Sequence, residues 1–174
     1  AVTDTGRSTG VARSLAAIPA PGDLRNTIAT LAHDPDSLFV RLLQHRFISD
    51  EYPALNGMAV GNLLLAGLAQ MTGDFAEAVA VLAQQSHVTA TIFPVSTVNT
   101  HLCAELEDGS IMPDELSVRG LNKPTIRRVF LADPAPAYPP VVQAIHAADV
   151  VVIGPGSFFT SVMATLLFDG VREA

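Results

Sequence analysis

The sequence predicts an α/β fold with a mainly parallel sheet, and three observations lead to that prediction. Val150 to Ile153 are four consecutive β-branched residues, a pattern typical of a strand buried inside a parallel sheet. Val88 to Val95 is also rich in β-branched residues. Stretches with helical spacing of apolar residues alternate with these apolar runs, and such alternation indicates helices packed on a sheet.

Helices are predicted wherever apolar residues recur every three or four positions or a capping residue precedes an apolar stretch. Asp23 is predicted as the N-cap of the first such helix. The predicted helices cover residues 27–32, 37–47, 60–69, 75–85, 141–147 and 157–167. Two further short strands are predicted at Leu102 to Leu106, closed by the Asp108-Gly109 turn of a hairpin, and at Arg127 to Leu131.

Composition limits the classes of function. The chain has 174 residues, of which 49% are hydrophobic and 16% charged, enough to bury the core of one α/β domain covering residues 1–174. The net charge of −7 argues against a nucleic-acid partner held by bulk phosphate attraction. The single cysteine, Cys103, excludes an internal disulfide. No signal peptide or membrane-spanning run is visible, so no membrane partner and a cytoplasmic location are predicted.

The stretch from Gly154 to Ser161 has the composition of an anion-binding turn. Gly154, Pro155 and Gly156 end the predicted strand, and Ser157, Thr160 and Ser161 follow where a helix is expected to begin. Unpaired N–H groups at a helix start favour a phosphate, and hydroxyls add donors. An ordinary turn in which Ser157 only caps its helix is an equally good interpretation of this stretch.

Polar residues that suit a ligand also occur near the start of the chain. Residues 4–10 are predicted as a donor-rich loop, in which Asp4 would accept a hydrogen bond from a ribose, although a solvated surface loop explains the stretch as well. Arg25 and Asn26 fall in the first turn of a predicted helix, where the helix dipole disfavours a cation. Asn62 lies in an apolar helix and must bond either to neighbouring backbone or into a cleft.

These stretches together resemble the YvcK-like and CofD-like family, closest to its bacterial YvcK-type branch, the gluconeogenesis factors of the UPF0052 type. Members carry a Thr-Val-x-Asp-Asp-Gly-Gly-Ser-Ser-Gly loop, then Pro-Pro-Gly-Asp-Ile-Arg-Asn, His-Arg-Phe, Gly-His-x-x-Gly-Asn-Leu, Gly-Asp-Phe and Gly-Pro-Gly-Ser-Leu-Tyr-Thr-Ser. The matching stretches here are 2–10, 19–26, 45–47, 57–63, 73–75 and 154–161. The resemblance runs through essentially the whole sequence with near-constant spacing.

The resemblance implies a Rossmann-like three-layer sandwich that binds a nucleotide-containing ligand. YvcK-type proteins are associated with UDP-sugar binding, carbon metabolism and cell-wall or cell-shape homeostasis. CofD-type relatives are magnesium-dependent transferases that join a phospholactate-type group to a deazaflavin in coenzyme F420 biosynthesis. The family's N-terminal glycine loop and a C-terminal segment have no counterpart in this sequence, so a domain that is incomplete at both ends is expected.

Two departures from the family pattern favour binding over catalysis. Thr5 replaces the second aspartate of the first loop, which leaves too few acidic residues for magnesium, and no metal ligand is predicted. Met58 replaces the family histidine and removes a candidate acid or base, so no catalytic residue is predicted either.

The leading hypothesis is therefore a YvcK-type nucleotide-sugar-binding regulator that needs no cofactor. The alternative is a CofD-like transferase, for which magnesium would be required. The expected partner is a nucleotide-containing small molecule, and assembly into a homo-oligomer is left open. The predicted ligand-binding residues are Asp4, Ser8, Thr9, Gly10, Gly22, Asp23, Arg25, Asn26, Arg46, Gly61, Asn62, Gly154, Pro155, Gly156, Ser157, Thr160 and Ser161.

Overall fold

A computed structural model describes residues 3, 4 and 6–174, without the side chain of Arg7. Ala1, Val2 and Thr5, the last of which replaces a family aspartate, lie outside the described residues. The first half of the chain is helical. Its helices are α1 (Arg7–Ala16), α2 (Gly22–Leu31), α3 (Leu38–Gln44), α4 (Val60–Thr72) and α5 (Phe75–Gln85).

Side-chain caps mark where two of these helices begin. Ser37 accepts a hydrogen bond from the Val40 N–H at the start of α3, and Asp74 accepts from two N–H groups at the start of α5. Gly73, with φ of +72°, ends α4 in the left-handed conformation that glycine tolerates best. The predicted start and end of α5 are confirmed.

Two predictions near the N-terminus are wrong. Residues 4–10 are not a loop throughout, because α1 begins at Arg7 and takes in Ser8, Thr9 and Gly10. Hydrogen bonds from Gly6 and Thr9 to the Asp4 side chain hold the start of this helix in place. Asp23 is not an N-cap, since α2 already begins at Gly22 with Pro21 in the cap position.

The sheet is antiparallel, which contradicts the predicted mainly parallel sheet. It contains β1 (Leu102–Leu106), β2 (Ile111–Met112) and β3 (Ile126–Leu131) in the order β2-β1-β3. The β1–β2 connection is the predicted hairpin, with Gly109 at φ of +83°. β3 also pairs antiparallel with β1, with Cys103 opposite Phe130, although β2 and α6 lie between these two strands in the chain.

The two β-branched runs behind the parallel-sheet prediction form no strand in the described part of the chain. Val88 to Val95 is extended without a ladder partner, and Val150 to Ile153 is exposed, with Val152 at 83%. A strand requires a neighbouring strand for its N–H and C=O groups, so β propensity alone does not create one. The three-layer, Rossmann-like arrangement stays a prediction.

The last third of the chain contains α6 (Glu115–Arg119), which precedes β3, then α7 (Pro139–Ala147), a π-helical turn (Phe158–Met163) and α8 (Ala164–Leu166). Ser157 stands in the N-cap position of the π-helical turn, yet its side chain makes no capping hydrogen bond. The interpretation of Ser157 as a simple helix cap is therefore wrong.

The main core joins the helical half to the end of the chain. Ile28, Leu65, Val79 and Phe168 belong to one buried cluster, so α2, α4 and α5 are packed against the C-terminal segment. The N-terminal ends of α1, α2 and α4 lie close together, since Gly22 packs against Thr9, Gly61 packs against Arg25, and Asn62 donates to Ser8. Among the described residues, no helix combines the length and apolar character needed to cross a membrane.

Candidate functional site

The first part of the candidate site is the Asp4 side chain, which braces the start of α1. Its Oδ1 accepts from the Gly6 N–H at 2.8 Å, and its Oδ2 accepts from the Thr9 hydroxyl at 2.7 Å. Gly22 begins α2 directly against this pair, since a Cβ at that position would lie 2.8 Å from the Thr9 Oγ1 and 3.2 Å from the Asp4 Oδ2. A larger residue at position 22 would push α2 away from Asp4.

Ser8 connects α1 to the start of α4 through a buried hydrogen-bond network. Its Oγ accepts from the Ala59 N–H at 2.9 Å and from the Asn62 Nδ2 at 3.0 Å, and its hydroxyl donates to the Met58 Sδ at 3.4 Å. The Oγ is therefore fully used within the protein and has no donor left for a ligand. The Oδ1 of Asn62 is buried without a hydrogen-bond partner among the described residues.

Arg25 places a buried positive charge behind Asp4. The residue is 3% exposed, and its Nη1 donates to the Oε1 of Gln44. Gly61 allows this placement, because a Cβ on Gly61 would lie 2.8 Å from Cγ and Cδ of Arg25 and 2.8 Å from the Leu43 carbonyl. Burial lowers the pKa of Arg25 and Arg46 lowers it further, while Asp23 and Asp4 raise it.

A pocket of about 430 Å³ opens beside these groups. Arg46, exposed at its rim, donates from Nη1 to the Gly57 carbonyl at 2.7 Å. The pocket is lined by Asp4, Gly6, Ser8, Thr9, Arg46, Asn56 and Gly57. The structure thus brings four of the predicted residues, Asp4, Ser8, Thr9 and Arg46, to one pocket, with Gly22, Arg25, Gly61 and Asn62 packed around it.

Three other predicted residues do not line this pocket. Asp23 and Asn26 are exposed on α2. Gly10 lines a smaller neighbouring pocket of about 200 Å³ together with Arg13, Ser14 and Asn99. We assign none of these three a place in the pocket lined by Asp4.

The predicted anion turn lies at a second pocket. Gly154, Pro155, Gly156 and Ser161 line a mainly apolar pocket of about 510 Å³ that shares no lining residue with the one at Asp4. Ser157 is exposed and Thr160 is buried. A Cβ on Gly156 would lie 3.0 Å from the Ser161 Cβ, so this turn is folded closely onto the π-helical segment.

Glu115 is a site residue that the sequence reasoning missed. It begins α6 and is 6% exposed, and its Oε2 receives no hydrogen bond from the described residues. Burial raises the pKa of Glu115 to about 7, with the adjoining Asp4 carboxylate raising it as well, while Arg119, 3.7 Å away, opposes the shift. In the sequence, Asp114-Glu115 lies in a polar stretch, and no signal there indicates that one of the two would be buried.

Arg13 is a second residue near Asp4 that no sequence motif indicates. It donates from Nη1 to the Asp4 carbonyl at 3.2 Å and from Nη2 to the Asn99 Oδ1 at 2.7 Å. Burial lowers the pKa of Arg13, and Asp4 opposes that shift. Its position on the last turn of α1 looks like an ordinary helix C-terminal charge, so only the tertiary structure reveals the contact.

No three His, Cys, Asp or Glu side chains within residues 3–4 and 6–174 are grouped as a metal site would require.

The fold and site define an α/β protein with a polar pocket between the start of α1 and the segment that joins α3 to α4. The family model described as 2-phospho-L-lactate transferase CofD matches residues 1–174. The chain therefore belongs to the CofD family.

Curated relatives support the same family. The chain is 41% identical to a gluconeogenesis factor of Halalkalibacterium halodurans over 175 residues, which cover 99% of this chain and 53% of the relative. It is 37% identical to the gluconeogenesis factor of Bacillus subtilis, again over 99% of this chain and 53% of the relative. The chain thus spans about half the length of these relatives.

A solved structure gives the same result for the fold. A protein from Bacillus halodurans, described as a member of the UPF0052 family, is 40% identical and superposes with a TM-score of 0.91. The match covers 99% of this chain and 54% of the other. The resemblance inferred from the sequence motifs is confirmed at the level of the family.

Proposed function

We propose that this chain forms part of a cytoplasmic, YvcK-type regulator that binds a UDP-sugar and acts in carbon metabolism and cell-shape homeostasis. The observation that carries the proposal is the pocket at the start of α1, which Asp4 and Arg46 both line. The similarity to proteins named gluconeogenesis factors supports the link to carbon metabolism.

The charges around the pocket suit a nucleotide. Arg46 at the rim and the buried Arg25 supply positive charge for a phosphate. Asp4 is a hydrogen-bond acceptor of the kind that ribose hydroxyls need. The pocket volume of about 430 Å³ falls within the range of small-ligand sites.

The second candidate is a magnesium-dependent transferase of a phospholactate-type group, favoured by the description of the matching family model. Met58 weighs against it, because a thioether cannot act as the acid or base that the family histidine could supply. We therefore favour a binding function over a catalytic one.

Calorimetry on the full chain with UDP-glucose, UDP-N-acetylglucosamine, GTP and NAD(P) tests the proposal. Binding of a UDP-sugar without turnover is the expected result. Arg46→Ala should weaken that binding by about tenfold, because one charge-assisted contact is worth about 1.5 kcal/mol. Arg41→Ala is the matched control, since Arg41 is an exposed arginine on α3 that lines none of the pockets described above.

Two results would contradict the proposal. Magnesium-dependent consumption of GTP or of a phospholactate donor would establish the transferase instead. Equal loss of affinity in Arg46→Ala and Arg41→Ala would mean that the ligand binds away from the pocket at Asp4.

A further inference from the structure

The side chain of Glu115 is in contact with that of Asp4, which lines the pocket. Glu115 is 6% exposed, and its Oε2 has no hydrogen-bond donor in the described part of the protein. The Asp4 carboxyl group already accepts hydrogen bonds from the Gly6 N–H and the Thr9 hydroxyl. Two carboxylates at close range repel each other strongly when one of them is buried, so one of the pair is expected to hold a proton.

Glu115 is the better carrier of that proton. Both oxygens of the Asp4 carboxyl group already accept hydrogen bonds, and the guanidinium of Arg13 donates to the Asp4 backbone carbonyl. Glu115 has only Arg119, whose side chain is 61% exposed and whose Nη1 lies 3.7 Å away. A protonated Glu115 can donate to Asp4, which satisfies an otherwise unpaired buried group.

The other charged groups near Glu115 also favour Glu115 as the carrier of the proton. Asp23 on α2 adds negative charge near Glu115, and Asp114 precedes it as the N-cap of α6. On β1, against which α6 packs, Glu105 is ion-paired with Arg127 and Arg128 at 2.9 and 2.6 Å. The thiol of Cys103, also on β1, is bonded to the Pro113 carbonyl.

The other two elements packed against α6 are β2 and the π-helical turn, and neither contains a titratable residue. Arg25 adds positive charge near Asp4.

We propose that Glu115 is a positioning residue of the nucleotide site, which carries the shared proton of a carboxyl–carboxylate pair with Asp4 and thereby keeps the Asp4 brace of α1 in place. Loss of this proton places a second negative charge beside Asp4. Repulsion then loosens the brace and also opposes a ligand phosphate in the adjoining pocket. Nucleotide affinity therefore falls as pH rises, and binding takes up a proton.

The proton itself can be tested without any ligand. Infrared titration of the full chain should show one carboxylic-acid band that disappears with a midpoint near pH 7. Glu115→Gln, which keeps the size and a donor toward Asp4, should abolish the band. Glu107→Gln, at an exposed glutamate just beyond β1, should leave it unchanged. Asp4→Asn should move the midpoint to lower pH, because it removes the repelling charge.

The positioning role rests on the proposed function and is tested by calorimetry with a UDP-sugar in two buffers of different ionisation enthalpy. Between pH 6 and 8 the unchanged protein should lose roughly fivefold to tenfold in affinity and take up a fraction of one proton. Glu115→Gln should bind with little pH dependence and without proton uptake, whereas Glu107→Gln should behave as the unchanged protein.

The possible results separate the two proposals. An acid band that persists in Glu115→Gln, or none above pH 6 in the unchanged protein, overturns the assignment of the proton. If nucleotide affinity has the same pH profile in the unchanged protein and in Glu115→Gln, the positioning role is overturned and the proposed function still stands. Absence of nucleotide binding overturns the proposed function and the positioning role, while the infrared titration still decides whether Glu115 carries the proton.

Discussion

The polar residues at the start of α1 and those after Gly154 look alike in sequence but differ in how the structure uses them. Ser8 and Thr9 are buried, and each hydroxyl is bonded to a partner within the protein. Ser157 is exposed and makes no capping bond. Hydroxyls of the first kind hold helices together, whereas those of the second kind remain open to a ligand. Substitution of Ser8 or Thr9 should therefore reduce stability, whereas substitution of Ser157 should not.

Gly61→Val should show the largest effect. The new Cβ would lie 2.8 Å from the Leu43 carbonyl and from the Arg25 side chain, so α4 must move away from both. We expect a loss of about 3 kcal/mol in the free energy of unfolding, measured by chemical denaturation. Gly67→Ala on the same helix is the control, and it should stabilise by about 0.5 kcal/mol because its Cβ meets nothing within 4 Å. Similar losses in both variants would contradict close packing at Gly61.

The pH dependence of stability should be the next largest effect. The pKa of Glu115 is about 7 in the folded protein and 4.5 when unperturbed, so the folded state binds the proton more tightly. Stability from this group is full below about pH 4.5 and is lost as pH rises through 7. The loss between pH 5 and 8 is at most about 3 kcal/mol.

Denaturation of the unchanged protein and of Glu115→Gln at both pH values isolates this contribution. The unchanged protein should lose stability between pH 5 and 8, whereas Glu115→Gln should not lose this contribution. Relative to the unchanged protein, Glu115→Gln should therefore be more stable at pH 8 than at pH 5. A constant difference would mean that Glu115 ionises as freely in the folded protein as in the unfolded chain.

Ser8→Ala should cost about 2 kcal/mol. The substitution leaves the Ala59 N–H and the Asn62 Nδ2 without their shared acceptor in a buried position. Ser14→Ala, at an exposed serine on the same helix, should change stability by less than about 0.5 kcal/mol. Thermal and chemical denaturation of both variants measure the contrast, and equal effects would remove the distinction between the two regions.

Ser157→Ala should have the smallest effect on stability, within about 0.5 kcal/mol, because the side chain is exposed and caps nothing. Its nucleotide affinity, measured by calorimetry, tells whether this hydroxyl takes part in binding. A loss of more than about 1 kcal/mol in folding stability would show that the Ser157 hydroxyl supports the fold in the way that the Ser8 hydroxyl does.

Local patterns allowed most helices, the hairpin and the strands β1 and β3 to be predicted, whereas the parallel direction of the sheet was predicted wrongly. The α5 helix has its own cap at Asp74, and the turn at Gly109 is encoded by two adjacent residues. The strands expected at Val88 to Val95 and Val150 to Ile153 depend on partners far away in the chain. β propensity contains no information about those partners.

The candidate site was predicted in part for the same reason. Glycines and polar residues in short motifs marked Asp4, Arg25 and Gly61, although the sequence could not indicate that Gly61 faces Arg25. Glu115 and Arg13 have no motif of their own, and their contacts with Asp4 arise only when separate parts of the chain are packed together. Whether the motif residues bind a ligand stays a prediction.

The π-helical turn at Phe158–Met163 has a consequence for insertions and deletions. Val162 donates to the Ser157 carbonyl at 3.2 Å, five residues back, so this turn holds one residue more than an α-helical turn would. Deleting a single residue here would remove the extra residue and restore α-helical winding, so α8 could keep the face that packs against β3. The same deletion within α8 would instead turn the residues after it by about 100° away from that face. The wide turn is therefore the place in this segment where a one-residue gap is best absorbed.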